Sequence, residues 1–129
     1  MVIIGTPSQH LCVASEGSAD QLRVALVAPG IRAEIDVYVF REFGALVALF
    51  DSMEDSWRGW EGERSWASLE GELTLRARHV GSAIEIVVGM RSMFPPVDGE
   101  WSVRAELRVE VGAQLSAIVR DLRTLVATP

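Results

Sequence analysis

Three stretches of this chain alternate apolar and polar residues with a period of two. Ile31, Ala33, Ile35, Val37 and Val39 alternate with Arg32, Glu34, Asp36 and Tyr38. Leu69, Gly71, Leu73, Leu75 and Ala77 alternate with Glu70, Glu72, Thr74, Arg76 and Arg78. Trp101, Val103, Ala105, Leu107, Val109 and Val111 alternate with Ser102, Arg104, Glu106, Arg108 and Glu110. Each reads as a strand with one greasy and one charged face, the pattern of an antiparallel sheet covered on one side and wet on the other. Weaker strands are expected over 21–28, 83–91 and 11–15. Pro29-Gly30 and Val80-Gly81-Ser82 supply the tight turns between neighbours.

Two segments follow the 3.6-residue period of an amphipathic helix. One stripe is Phe43, Leu46, Val47, Phe50, Met53 and Trp57; the other is Leu115, Ile118, Val119, Leu122, Leu125 and Val126. Asp51, Glu54 and Asp55 lie off the first stripe and are expected in water. Gly44 weakens that helix by roughly 1 kcal/mol relative to Ala, which would be explained by close packing against a sheet. The expected order is β-β-β-α-β-β-β-α, an α+β fold with a mostly antiparallel sheet of about six strands and two helices on one face. It suggests a pseudo-repeat. Laying 32–39 over 104–111 and continuing without a gap places Phe43 over Leu115, Leu46 over Ile118, Val47 over Val119 and Phe50 over Leu122.

Length and charge narrow the picture further. A chain of 129 residues suits a single domain with its own core. A net charge of −6 weighs against nucleic-acid and anionic-membrane partners, which call for basic patches. Its twelve basic residues are all Arg, and it has neither Lys nor Asn, so Schiff-base chemistry and N-glycosylation are excluded. Cys12 is a single thiol with no disulfide partner in the chain. Met1-Val2-Ile3-Ile4 is too short for a signal segment, and no apolar run reaches membrane-spanning length. The expected location is the cytoplasm.

Candidate chemistry concentrates in one connector. Three of the four tryptophans fall in Trp57-Arg58-Gly59-Trp60-Glu61-Gly62-Glu63-Arg64-Ser65-Trp66. Trp is large and carries one donor that wants a partner when buried. Two readings stand open. In one, the rings plug the end of the helix–sheet sandwich, with Arg58 or Arg64 stacked on an indole. In the other, Trp and Arg form an exposed recognition surface of the composition favoured at binding hot spots. The residues expected to bind are Trp60, Arg64, Trp66 and Glu70, joined by Phe94 in the connection 91–99, whose Pro95-Pro96 pair and apolar side chains suit either an edge-covering loop or a contact loop.

Catalytic and metal signatures are weaker. Glu70 and Glu72, two apart, read as neighbours on a solvent face rather than as a glycosidase pair; with Arg76, Arg104, Glu106 and Arg108 they suit a charge lattice of cross-strand pairs. His10 and Cys12, with distant His79, fall short of a zinc set, and are read as a partly exposed His and a core Cys. No nucleophile elbow or phosphate loop is present. No catalytic residue, metal or cofactor is assigned. That leaves a non-enzymatic module, in one concrete version toxin-neutralising, that binds a protein or a second copy of itself; the alternative is a small-ligand binder or enzyme with a pocket near 57–66.

Ser56-Trp57-Arg58-Gly59-Trp60-Glu61-Gly62, followed by Trp66-Ala67-Ser68-Leu69-Glu70-Gly71-Glu72-Leu73, resembles the hallmark of a family of small bacterial domains of unknown function. There, a Trp-Arg-Gly-Trp element and a Trp-x-Ser-Leu-Glu-Gly element precede a strand, and a strand with an amphipathic helix closes the chain, as 101–126 would here. The resemblance implies no activity or ligand. It does imply that the Trp segment helps define the fold.

Overall fold

The computed structural model describes residues 1–15, 20–39, 41–92 and 100–127. Among them are eight strands and two helices. The first half runs β1 (Val2–Gly5), β2 (His10–Ser15), β3 (Gln21–Ala28), β4 (Ile31–Tyr38) and α1 (Glu42–Asp55). The second runs β5 (Glu63–Ala67), β6 (Leu73–Val80), β7 (Ala83–Arg91), β8 (Ser102–Glu110) and α2 (Ala113–Ala127). Each half is thus a four-stranded antiparallel meander followed by a helix, with sheet orders β1-β2-β3-β4 and β5-β6-β7-β8.

The fold is α+β, but the expected single sheet of six strands and its element order are both corrected. The strands expected over 31–39 and 101–111 lie in different sheets, and each half gains a strand. α1 intervenes between β4 and β5, so the meander stops and a second begins. The expected register of the repeat does align β4 with β8 and α1 with α2, and Phe43, Leu46 and Phe50 are buried like Leu115, Ile118 and Leu122.

Period-two alternation holds along the strands. Ala33, Ile35 and Val37 of β4, Leu73, Leu75 and Ala77 of β6, and Leu107 and Val109 of β8 all face inward. They join the inner faces of the other strands and both helices in one hydrophobic core. Alternation fails at the first position of each run: Ile31, Leu69 and Trp101 are exposed. Leu69 lies in the turn before β6, which starts only at Leu73. Val126 belongs to the second helical stripe, but its side chain lies outside the described residues.

Two seams hold the halves together. At the first, α2 lies against β8 and β1, and β1 runs beside β8. Gln114 donates from Nε2 to the Gly5 carbonyl at 2.7 Å and accepts from the Glu110 amide at 2.7 Å; Gln9 Nε2 donates to the Glu106 carbonyl at 2.5 Å. At the second, α1 packs on α2 and β5, and Arg123 pairs with Asp51 across the helices. Asp51 raises the Arg123 pKa above its ordinary value, chiefly through this hydrogen bond. Gly44 is exposed with nothing within 4 Å of where a Cβ would stand, so close packing does not explain it.

Candidate functional site

α1 ends at Asp55, two residues short of the stripe's last position, and Ser56 caps it with its amide on the Ser52 carbonyl at 3.0 Å. A turn follows in which the Gly59 amide donates to the Ser56 carbonyl at 2.8 Å. Gly59 sits at φ +134°, where a side chain would be strained. The early stop swings Trp57 off the core stripe, leaving it 54% exposed rather than buried as its spacing predicts. Arg58 lies over its ring, 5.1 Å from the centroid.

Trp60 and Trp66 behave differently. Trp60 is half-buried against the core, with Arg64 at 4.5 Å over its ring and His79 edge-on at 5.3 Å. The His79 Nε2 lies 2.9 Å from the Trp57 carbonyl. Arg64 points inward from β5 and donates to the Ser52 carbonyl at 2.8 Å and to the hydroxyls of Ser52 and Ser56, each at 3.1 Å. It therefore supplies the positive charge that α1 lacks in its own last turn. Trp66 is buried on β5, and its indole donates to the Glu42 carbonyl at 2.6 Å. The Trp60 indole N–H is buried with no partner among the described residues.

Past Trp66 the chain makes a second compact loop. Ser68 and Glu72 are both buried, and the Ser68 hydroxyl donates to the Glu72 carboxylate. The Leu73 amide donates to Ser68 Oγ at 3.1 Å, and the Ser68 amide to the Leu73 carbonyl at 2.9 Å. Glu72 at 2% exposure is thus not beside Glu70 on a wet face, because the strand has not yet begun there. Arg91 clamps the loop from outside, donating to the carbonyls of Gly71 at 3.2 Å and Glu70 at 2.5 Å.

The structure therefore brings Trp60 and Arg64 together and separates them from Trp66 and Glu70. Trp66 faces α1, and Glu70 lies at the opposite end of β5. Phe94, with the Pro95-Pro96 loop, lies outside the described residues. Cys12 is half-buried on the outer face of β2 rather than in the core, since Leu11 and Val13 take the inward positions. His10 is half-buried, its Nδ1 3.0 Å from the Thr6 carbonyl.

Sequence spacing missed the hollow beside Trp57. A groove of about 390 Å³ opens where α1 ends and α2 begins, lined by Glu54, Trp57, Val111, Gly112, Leu115 and Ser116. The available signal was Ser56 and Gly59 as helix-stopping residues, which place Trp57 beyond the helix. Glu54 and Ser116 are the polar side chains of the groove's lining, beside Trp57, Val111 and Leu115. Among the described residues no cluster of His, Cys, Asp and Glu is arranged to hold a metal. No helix among them is long and apolar enough to cross a membrane.

No curated protein and no solved structure matches the chain at a significant level. A family model does, over residues 8–129, a span that takes in β2 to β8, both helices and the Trp segment: the chain belongs to DUF6228, a family of unknown function.

Proposed function

We propose that this chain is a non-enzymatic binding module that engages a protein partner at the groove between the end of α1 and the start of α2. One observation carries the reading: Trp57, an aromatic of hot-spot type, stands half out of the fold at the rim of an apolar hollow. The other two rings of the segment are taken up by Arg64 and by the Glu42 carbonyl, so they are committed to holding the fold. Trp57 is held from behind instead, through its carbonyl near His79 and through Arg58 over its face.

Charge suggests the kind of partner. The last turn of α1 carries Glu54 and Asp55 and no basic residue, at the helix end where negative charge is least favourable. In a chain of net charge −6, these acids beside an apolar anchor suit a basic protein surface, whose encounter they would accelerate. A toxin-neutralising role inside the cell is the concrete form of this reading. The same balance suits neither nucleic acid nor an anionic membrane.

Affinity capture from cells of the source organism, with the wild-type chain, Trp57→Ala and the distant surface variant Arg32→Ala, tests it. One protein retained in fixed proportion by the wild type and Arg32→Ala, and lost by Trp57→Ala, is the expected result. Sedimentation of the purified chain shows whether that partner is a second copy. Retention indifferent to Trp57 would end the proposal.

A further inference from the structure

The outer face of β6, β7 and β8 carries a feature that the groove does not use. Strand register lays its side chains out in rows: Glu63, Arg78, Glu85 and Arg108; then Ser65, Arg76, Val87 and Glu106; then Ala67, Thr74, Gly89 and Arg104. The first row alternates in sign and both its cations are paired, Arg78 with Glu85 in the row at 3.2 Å and Arg108 with Glu110 along β8 at 3.0 Å. Arg76 reaches Glu63 at 4.0 Å, and Arg91 is spent on the carbonyls of Gly71 and Glu70. Arg104 differs. Among the described residues, no acceptor meets its guanidinium.

Arg104 also lines two adjoining hollows on this face. One, about 210 Å³, holds the carboxylates of Glu63, Glu85 and Glu106 among its walls. The other, about 340 Å³, is lined by Thr74, Gly89, Arg91, Ser102 and Arg104, with no carboxylate among its described lining residues. Gly89 is the bare centre of this second hollow, flanked by Thr74 on one neighbouring strand and Arg104 on the other. A Cβ at Gly89 would come within 2.6 Å of the Thr74 hydroxyl, so no side chain can fill the space without displacing it. Like Arg104, the Thr74 hydroxyl has no hydrogen-bond partner among the described residues.

We propose that this hollow is an oxyanion site, taking a small carboxylate- or phosphate-bearing ligand. The Arg104 fork supplies paired donors that fit two oxygens of such a group, and Thr74 supplies a third from across Gly89. Arg91, fixed by two carbonyls at the end of the hollow, adds positive charge without competing for the same oxygens. A hollow with no carboxylate among its described lining residues, on a chain of net charge −6, is what sets the spot apart from the balanced lattice around it.

The test titrates the isotope-labelled full chain with inorganic phosphate and, separately, citrate at constant ionic strength, following backbone amide shifts. Saturable shifts centred on Thr74, Gly89 and Arg104, with a dissociation constant below about 1 mM for one of the two anions, are expected. The better binder identifies the ligand's chemistry. Arg104→Gln should weaken that binding at least about tenfold, and Thr74→Val should weaken it measurably. Arg108→Gln, on the same face but outside the hollow, should leave it unchanged. Shifts that grow without saturating for both anions, or that respond equally to Arg104→Gln and Arg108→Gln, would overturn the site.

Discussion

At the scale of single residues, the buried indole of Trp66 and the half-buried one of Trp60 make a pair with opposite accounts. Trp66 donates its N–H to the Glu42 carbonyl, whereas the Trp60 N–H is buried with no partner among the described residues. Replacing either by Phe removes similar bulk. Trp66→Phe also removes a hydrogen bond, while Trp60→Phe removes an unsatisfied donor, whose burial costs about 1–3 kcal/mol. Chemical denaturation should therefore show Trp66→Phe as the more destabilising by about 1 kcal/mol or more; equal losses would contradict the assigned bond. Ser68 offers a second residue-level test. Its hydroxyl is a donor to a carboxylate that water barely reaches. Ser68→Ala should cost about 1–3 kcal/mol, and Ser68→Thr, which keeps the hydroxyl, should cost less if the added methyl is accommodated. A loss under about 0.5 kcal/mol for Ser68→Ala would show that Glu72 does not depend on it.

Among the elements, what could be read from the chain depended on length and on contrast between faces. β3, β4, β6, β7 and β8 each run eight or nine residues, long enough for a period to register. β1 is four residues of Val-Ile-Ile-Gly, and Ile3 on its outer face is as apolar as its inner neighbours, so no alternation exists to see. β5 hides for a different reason: Arg64 takes one of its inward positions, reaching past the core to cap α1. The division into two sheets was not legible at all, because a period tells which way a residue faces and not which strand lies beside it. Likewise Trp57 continues the α1 stripe on paper, and only the early stop at Ser56 takes it out of the core. Gly44 makes this scale testable. It lies inside α1 with open space around its missing side chain. Gly44→Ala should raise stability by about 0.5–1 kcal/mol through backbone entropy alone. Thermal melting that moves the other way would reveal a contact at that surface, such as a partner or a second copy.

For the molecule as a whole, the question is whether two look-alike halves are two folding units or one. Each half repeats the same meander and helix, which invites the first answer. The packing supports the second. α1, built by the first half, rests on β5 and α2 of the second, and α2 rests on β1 as well as on its own β8. The inner faces of both sheets contribute to one continuous core, so either half alone would leave most of its apolar face in water. Gln114 and Gln9 then tie β1 and its turn to the other half through backbone carbonyls, bonds that exist only when both halves are present. A fragment of residues 1–62 should accordingly show no cooperative thermal transition by itself. Mixing it with residues 63–129 should restore one, with the two fragments migrating together on gel filtration. If 1–62 melts cooperatively as a monomer, the halves are independent units. The groove at Trp57, walled by the end of one helix and the start of the other, would then lose the rigid frame that its proposed role requires.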